Sequence, residues 1–369
     1  MKILLLSDAN SSHTMKWAFS LQKHGINILL FSLFKPNQDV YQQYQNNEIR
    51  VIHANLKRKI KNLRQPNLSK LSYLQSLRPL SKTITTFQPD ILHAHYASSY
   101  GVLGYLSKFR PWLLSVWGSD IYDFPQKSWI NKGLLKRVIN SADTVCSTSR
   151  AMANKVNQEL GRSQLEIIPF GIDPDIFLPA KEKETPFIVG TIKSIEKHND
   201  IDCFLDAVKI VVYEYKLSNL QFLIVGKGSQ LEKMKLKCKT LKIESHVTFA
   251  GFIPHEKVVQ YYQRLSVFVS VSKRESFGVS ILEAAACEVP AITSNVGGLP
   301  EVNQHNETGW VISPGKPRAL ADAIKKLYND NHLRTQLGKN ARRRVVQKFN
   351  WKTNVQKMIH IYDLVVSRS

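Results

Sequence analysis

The chain has 369 residues, with 51 Lys and Arg against 29 Asp and Glu and a formal net charge of +22 at pH 7. This length suits two domains better than one core, and no apolar run reaches the ~18 residues that a membrane-spanning helix needs. The cysteines show no CxxC spacing and no clustered histidine partner, which argues against a zinc site and a disulfide framework and fits a reducing cytosol. The opening MKILLLSD is too short for a signal peptide and predicts a buried first strand.

Strand and helix patterns alternate from the N-terminus onward. Residues 2–8 predict a strand, 13–24 a helix and 26–34 a second strand. This order begins a doubly wound parallel sheet, in which ligands bind at the carboxyl ends of the strands. The loop 8–14 lies at such an end and contains no glycine, so NAD and FAD are not expected.

A basic segment extends over residues 50–82. Between Glu48 and Asp90 the chain has no acidic residue, and leucines and aromatic residues lie between its charges. Such a stretch suits an anionic bilayer surface, where each Lys or Arg is worth about 1 kcal/mol. It would equally suit nucleic acid, or form a solvated basic face. The basic residues are Arg50, Lys57, Arg58, Lys59, Lys61, Arg64, Lys70, Arg78 and Lys82.

The next two strands end in polar residues. Residues 91–95 predict a strand that carries His93 and His95 on one face. The sequence shows no third metal ligand nearby. The residues alone therefore favour a buried, hydrogen-bonded histidine over a metal site. The strand pattern within 111–124 ends at Gly118, Ser119 and Asp120, and Trp117 either stacks on an acceptor or belongs to the core.

A second strand and helix pattern begins after a polar, proline-bracketed segment, 178–186, which we interpret as a linker. Residues 187–208 predict strand, loop and helix, and the loop carries Lys193 and Lys197. Two lysines there could neutralise a leaving diphosphate, or they could be ordinary exposed loop lysines. Residues 221–241 predict strand, Gly-Lys-Gly turn and helix.

The stretch ESFGVSILE places Glu275 and Glu283 eight residues apart across a predicted strand-to-helix junction. Glu283 lies within an apolar helix pattern, so its carboxylate needs hydrogen-bond donors or a solvent-filled cleft. Backbone amides at the helix start, around Phe277, Gly278 and Val279, would suit a diphosphate. A surface Glu275 and an ordinary salt bridge at Glu283 remain the alternative.

This stretch resembles the E-x-F-G-x-x-x-x-E motif of the retaining family-4 glycosyltransferases, which have the GT-B architecture. The resemblance implies two doubly wound Rossmann-like α/β domains that face across a cleft. They would cover 1–177 and 187–350, with the last helix, 351–369, packing back on the first. The first domain would bind the acceptor and the second the nucleotide-sugar donor.

The same resemblance implies roles for particular residues. Glu275 and His95 would lie by the donor sugar, Lys193 and Lys197 at the leaving diphosphate, and Glu283 at the ribose. Phe277, Gly278, Val279 and Gly298 would approach the donor through backbone, and Phe252 with Ile253 would approach the base. Ser12, His13 and Asp120 would lie near the acceptor and the sugar, although Trp117 stands where the family has a histidine.

No cofactor or metal ion is expected beyond the nucleotide sugar as donor. Asp173-Pro-Asp175 and Asp200-Ile-Asp202 look like the D-x-D metal motif of another glycosyltransferase architecture, and we interpret both as coincidence. The expected partners are a UDP- or GDP-linked sugar, a lipid-linked or polysaccharide acceptor of a bacterial cell surface, and an anionic membrane surface through 50–82. The expected location is the cytoplasm or the inner face of the plasma membrane.

Two other functions stay open. A nucleotide-sugar epimerase of the same architecture would need no acceptor. A nucleic-acid-binding protein would explain the charge, but the basic residues are spread through both halves and no recognition motif is present, so nucleic acid is not expected as a partner.

Overall fold

The computed structural model describes residues 1–56, 71–181 and 186–368. Contacts divide the chain into two compact units, Met1–Ile168 with Val355–Ser369, and Pro169–Asn354. Each unit is built on one parallel sheet covered by helices, which confirms the α/β fold class predicted from the sequence.

The strands of the first unit are β1 (Lys2–Leu6), β2 (Asn27–Ser32), β3 (Arg50–His53), β4 (Ile91–His95), β5 (Trp112–Val116), β6 (Thr144–Ser147) and β7 (Glu166–Ile167). Over the described residues they form a parallel sheet in the order β3-β2-β1-β4-β5-β6-β7. The central strands β1, β4 and β5 are short, mainly apolar runs that are buried except at Lys2, as both faces of a covered parallel sheet must be.

The helices of the first unit are α1 (Ser12–Lys23), α2 (Gln38–Asn46), α3 (Leu71–Gln75), α4 (Leu77–Phe87), α5 (Gly101–Ser107), α6 (Ser119–Tyr122), α7 (Trp129–Ser141) and α8 (Arg150–Leu160). Helix α5 packs against both α4 and α7. Because parallel crossovers are right-handed and these three helices connect strands in the same direction along the sheet, they cover one face of it.

The second unit repeats the pattern. Its strands are β8 (Phe187–Ile192), β9 (Leu220–Val225), β10 (Val247–Gly251), β11 (Val267–Ser270), β12 (Ala291–Ser294) and β13 (Gly309–Ile312), parallel in the order β10-β9-β8-β11-β12-β13. Its helices are α9 (Ile201–Lys209), α10 (Leu231–Leu241), α11 (His255–Arg264), α12 (Val279–Ala286), α13 (Leu299–Val302), α14 (Pro317–Asn329) and α15 (Asn331–Lys348).

The chain returns to the first unit within its last helix, α16 (Trp351–Val366). Residues up to Asn354 belong to the second unit, and those from Val355 belong to the first. The buried phenol of Tyr362 lies 2.7 Å from His93 Nδ1 on β4. This contact anchors the helix to the first sheet.

The contacts place the division between the units earlier than the predicted linker, 178–186, of which 182–185 lie outside the described residues. Pro169–Phe177, assigned from the sequence to the first domain, packs with the second unit instead. The Arg342 guanidinium of α15 donates to the carbonyl oxygens of Phe177 at 2.9 Å and of Pro174 at 3.4 Å. These bonds hold the segment on α15.

Two general features concern the whole chain. Among the described residues, no helix combines the length and the hydropathy that crossing a bilayer requires. All four cysteines are free thiols and buried.

Candidate active site

In the second unit, Glu275 forms an ion pair with Lys193 of the loop after β8. The Lys193 ammonium lies 2.7 Å from Glu275 Oε2 and donates to Ser272 Oγ at 2.9 Å and to Ser270 Oγ at 3.1 Å. Burial by itself raises the pKa of Glu275, but the Lys193 charge and the amides of the two following residues outweigh it and leave the pKa below 4.5. Glu275 is therefore a carboxylate at neutral pH, held against an ammonium.

Glycines pack backbone to backbone against the loop that carries Glu275. Gly297 has φ +51, and a Cβ there would lie 1.8 Å from the Glu275 carbonyl oxygen. A Cβ on Gly298 would lie 2.4 Å from the Ser276 carbonyl oxygen, and the Gly298 amide donates to Glu275 O at 3.3 Å. The two glycines thus fix the position of Glu275 relative to α12.

Helix α12 begins immediately after Gly278, which has a left-handed φ of +104. The helix starts at Val279 because the amides of Ser276 and Phe277 turn toward Glu275 instead. The Ser276 amide donates to Glu275 Oε1 at 3.1 Å, and the Phe277 amide also bonds this carboxylate. The first turn of α12 therefore offers an anion the amides from Gly278 onward.

The aromatic ring of Phe277 does not face a ligand. It is buried and packs edge-on or tilted against Phe170 and Phe349, with ring centroids 6.4 and 5.7 Å away. Its backbone is the only part of Phe277 that could meet a donor. Val279 is half-buried at the helix start.

Glu283 is buried on α12, and only 8% of its surface is exposed. Tyr262 donates its hydroxyl to Oε2 at 2.7 Å, and His255 Nε2 lies 3.2 Å from Oε1. These two residues of α11 supply the partners that a buried carboxylate requires. Each carboxylate oxygen has two lone pairs, so Glu283 can still accept from a ribose hydroxyl beside them.

Phe252 and Ile253 follow β10, as predicted for the loop near the base. Phe252 is 61% exposed, and the Lys227 ammonium of the Gly-Lys-Gly turn lies 4.4 Å from its ring centroid. An exposed aromatic ring with an adjacent cation is a suitable face for a base to stack on. No sequence pattern predicts Lys227, Tyr262 or His255, because the Gly-Lys-Gly turn is distinctive for its glycines and α11 carries no motif.

Lys197 lies apart from Lys193. It is exposed in the short turn Lys197–Asn199 and lines a small cavity of about 120 Å³ together with Asp200, Lys233 and Lys273. Neither Lys193 nor Glu275 lines this cavity. The structure brings one of the two predicted lysines to Glu275 and leaves the other at the neighbouring turn.

In the first unit, His93 and His95 are fully buried on β4. His93 bonds Tyr362 at 2.7 Å and Ser115 Oγ at 2.8 Å, and His95 Nδ1 lies 3.1 Å from Ser7 Oγ. Burial lowers the pKa of His93 to about 3. Burial also lowers the pKa of His95 well below 6.5, and the neighbouring His93 and His13 add to this effect. Both imidazoles are neutral at physiological pH.

Trp117 covers His95, with ring centroids 4.3 Å apart, and is itself buried. Asp120, predicted to lie near the acceptor and sugar, is completely buried and accepts backbone amides from Ala97 at 2.9 Å, Gly118 at 2.8 Å and Trp117 at 3.3 Å. Burial raises the pKa of Asp120, and these bonds partly offset that rise. In this structure Asp120 positions the two loops that flank His95.

The glycine-free loop 8–14 is braced by side chains instead. Asp8 Oδ1 accepts from the Asn10 amide at 3.0 Å, and the Ser11 side chain caps α1 by accepting from the Thr14 amide at 3.4 Å. Ser12 is exposed at the start of α1, and the half-buried His13 packs edge-on against Trp117 with centroids 5.9 Å apart. Both residues therefore lie at the carboxyl end of β1, as expected.

The two D-x-D look-alikes engage lysines. Asp175 pairs with Lys352 at 2.8 Å, Asp200 with Lys273 at 3.0 Å, and Asp202 with Lys237 at 3.0 Å. Within the described ranges, no cluster of three or more His, Cys, Asp or Glu could hold a metal ion. Metal independence itself stays a prediction.

Comparison with known families identifies the chain. Residues 2–149 match the model "Glycosyl transferase 4-like", and residues 174–344 match "Glycosyl transferases group 1". The chain therefore belongs to the family-4, group 1 glycosyltransferases, and it is a glycosyltransferase.

Among curated proteins, the chain is similar to an uncharacterized glycosyltransferase of Methanocaldococcus jannaschii. The two are 26% identical over 92% of this chain and 94% of the relative. It is also 28% identical to N-acetyl-alpha-D-glucosaminyl L-malate synthase of Bacillus anthracis, over 74% of each chain.

Solved structures show the same GT-B fold. Sucrose-phosphate synthase from Thermosynechococcus elongatus superposes with a TM-score of 0.83 at 22% identity, covering 100% of both chains. Anabaena HepE in complex with UDP and glucose gives a TM-score of 0.81 at 19% identity, covering 98% of this chain and 99% of HepE. The predicted fold class, two parallel-sheet α/β domains of the GT-B type, is thereby confirmed.

Proposed function

We propose that this glycosyltransferase moves a sugar from a UDP- or GDP-linked donor, with retention of anomeric configuration, to a lipid-linked or polysaccharide acceptor. The observation that carries the proposal is the Lys193–Glu275 ion pair beside the first turn of α12, with Glu283 one turn further along. In this arrangement Lys193 and the amides of α12 would stabilise a departing diphosphate, and the Glu283 carboxylate would bind the ribose.

The relatives support a nucleotide-sugar donor. Anabaena HepE has been crystallised with UDP-glucose, and a Mycobacterium tuberculosis relative, 26% identical over 62% of this chain, is named a GDP-mannose-dependent phosphatidylinositol monomannoside mannosyltransferase. A Staphylococcus aureus relative, 30% identical over 50% of this chain, is named for capsular polysaccharide biosynthesis. We therefore place the reaction in bacterial cell-surface glycan synthesis, on the cytoplasmic side of the membrane.

The chemistry follows from the charges. As the bond between sugar and diphosphate breaks, negative charge grows on the leaving oxygen, and Lys193 with the amides of α12 stabilises it. On the retaining mechanism, the acceptor hydroxyl arrives on the face from which the diphosphate departs. Its oxygen bonds to the anomeric carbon, and its proton passes to the departing diphosphate oxygen. Lysine and amide groups provide this stabilisation, so the proposed reaction requires no divalent metal.

Binding of nucleoside diphosphates and their sugars, measured by thermal shift, tests the donor site. We expect one base to stabilise the wild type and Glu283→Gln to lose most of that stabilisation, because the ribose hydroxyls lose a charged acceptor. Glu256→Gln, at an exposed position of α11, should behave like the wild type. No response to any nucleotide would overturn the proposal.

Product analysis tests the reaction itself. Proton NMR of the transferred sugar should show the anomeric configuration of the donor, and the rate should persist in EDTA. Release of a free, isomerised nucleotide sugar without any acceptor would establish the epimerase in place of the transferase.

A further inference from the structure

Helix α7 begins with two large apolar side chains in solvent. Trp129 is 84% exposed and Ile130 is 61% exposed. The turn that carries them is fixed, because Ser128 Oγ accepts from the Asn131 amide at 3.2 Å and Asn131 Nδ2 donates to Phe124 O at 3.3 Å. A capped first turn therefore holds a tryptophan and an isoleucine outward, which is costly unless something covers them.

The exposed face of α7 is also basic. Its inner face buries Leu135, Val138 and Ile139, while Lys132 and Lys136 lie on the outer face with Trp129. From residue 124 to residue 142 the chain contains no acidic residue. The basic residues of this stretch, all exposed, are Lys127, Lys132, Lys136 and Arg137.

The basic surface continues across the neighbouring helices. Helices α4, α5 and α7 lie side by side on one face of the first sheet. Exposed basic residues at α4 and after α5 are Arg78, Lys82, Lys108 and Arg110, the last of which pairs with Asp143. Of the three acidic residues between 71 and 142, Asp120 is completely buried. The outer surface of these helices is therefore strongly positive and has one apolar projection.

We propose that this face, from α4 to α7, binds an anionic lipid bilayer, with Trp129 and Ile130 entering the headgroup region. Tryptophan rings favour the membrane interface, and lysines on long stems reach lipid phosphates while their carbons remain on the apolar boundary. A second copy of this chain would bring the same positive face against it, which like charges oppose. Membrane binding needs neither donor nor acceptor, so it goes beyond the proposed transfer reaction.

Vesicle co-sedimentation of the full chain tests the surface. Neutral phosphatidylcholine vesicles are compared with vesicles that also contain phosphatidylglycerol, at low salt and at about 1 M salt, where the Debye length is about 3 Å. We expect binding to the anionic vesicles that high salt abolishes. Each lysine near the surface is worth about fivefold in affinity, so Lys132→Glu with Lys136→Glu should weaken binding by at least about 25-fold.

Matched controls separate this surface from general charge. Lys339→Glu with Lys348→Glu makes the same charge change at exposed positions of α15 and should weaken binding far less. Trp129→Ser with Ile130→Ser should weaken binding about tenfold or more, whereas Leu236→Ser, at a residue of α10 that is 64% exposed, should not. Equal loss in the control variants would overturn the proposal.

Tryptophan fluorescence gives a second readout. Trp17, Trp112, Trp117 and Trp351 are buried and Trp310 is half-buried, so acrylamide quenches Trp129 first. Anionic vesicles should protect it and shift its emission to the blue. Unchanged quenching, equal protection by RNA, or a concentration-dependent dimer that Trp129→Ser abolishes would each refute membrane docking. Transfer to a water-soluble acceptor reports separately on the enzyme.

Discussion

At the scale of single residues, Lys193 has a structural task that Lys197 does not share. Its ammonium compensates the half-buried charge of Glu275 before any ligand arrives, and it also donates to two serine hydroxyls. Lys197 is exposed at the neighbouring turn. Both lysines are predicted to meet the diphosphate, yet of the two it is Lys193 that pairs with Glu275 in the free protein.

Lys193→Met should therefore lower the transfer rate. It should also lower the unfolding free energy by about 3 kcal/mol, since it leaves Glu275 with an uncompensated charge. Lys197→Met should lower transfer and change the unfolding free energy by less than about 0.5 kcal/mol. Urea unfolding without nucleotide measures the difference. Equal destabilisation by the two variants would contradict the structural role of Lys193.

His93 makes the stability of the first unit sensitive to acid. Burial lowers its pKa to about 3 in the fold, whereas the exposed side chain titrates near 6.5. Between these values the unfolded chain binds a proton that the folded chain does not, so stability falls as the pH drops from 6.5 toward 3. His95 shifts in the same direction.

We expect His93 to contribute a loss of about 1.4 kcal/mol for each pH unit below about 6. His93→Gln should reduce the slope of unfolding free energy against pH, measured by urea unfolding. His360→Gln, at an exposed position of α16, should leave the slope unchanged. Parallel slopes for all three proteins would show that His93 does not stay neutral in the fold.

At the scale of elements, the geometry of the donor side depends on glycine turns that press against the loop before α12. A side chain on Gly297 would meet the Glu275 carbonyl oxygen, whereas one on Gly315 would meet no atom within 4 Å. Both glycines have left-handed backbones, with φ +51 and +65. They form a matched pair for separating backbone strain from displacement of the loop.

Gly315→Ala should cost about 1 kcal/mol of unfolding free energy and leave transfer unchanged. Gly297→Ala should cost more and reduce transfer about 100-fold, because a displacement of about 1 Å at the reacting groups has that effect. Thermal unfolding and steady-state rates measure both. Similar rates for the two variants would mean that the position of Glu275 does not govern the reaction.

Sequence patterns could locate these elements but not all of their contacts. The order of strands and helices follows from short apolar runs separated by polar turns. The ESFGVSILE stretch predicts α12, with Glu283 inside the helix and Glu275 before it. The partners of Glu283 could not be read, because Tyr262 and His255 lie 21 and 28 residues earlier on a helix with no motif. The exposure of Trp129 could not be predicted either, since a helical pattern does not show which tryptophan remains in solvent.

At the scale of the whole molecule, the residues proposed for the nucleoside diphosphate part of the donor lie in the second unit, from Lys193 to Gly298. A ligand that binds only the folded state stabilises what it binds, by about 2.7 kcal/mol at 100 times its dissociation constant. A nucleoside diphosphate should therefore slow amide exchange most in the core strands of the second unit. The strands of the first unit should respond less.

Hydrogen exchange read by mass spectrometry, with and without the nucleotide, measures this difference. Glu283→Gln at the same nucleotide concentration is the control. Equal protection of both units would show that they unfold as one cooperative body. Protection confined to the first unit would move the donor site there.

The boundary between the two units could not be predicted from the sequence. The sequence assigns Pro169–Phe177 to the first domain, but Arg342, more than 160 residues later, donates to the carbonyl oxygens of Pro174 and Phe177. Local patterns carry no information about such a distant partner. The predicted linker was reasonable as a polar, proline-bracketed stretch, yet polarity does not determine which sheet a neighbouring segment joins.

The return of α16 to the first sheet has a consequence for biosynthesis. During translation the strands around β4 emerge long before Tyr362, so the ribosome completes the whole second unit while His93 still lacks the phenol that it bonds in the finished protein. Domains commonly fold in the order of their synthesis. Here the earliest part of the nascent chain is the last to be completed. Premature termination anywhere in the second half would leave core residues of the first sheet exposed, and quality-control proteases would recognise them.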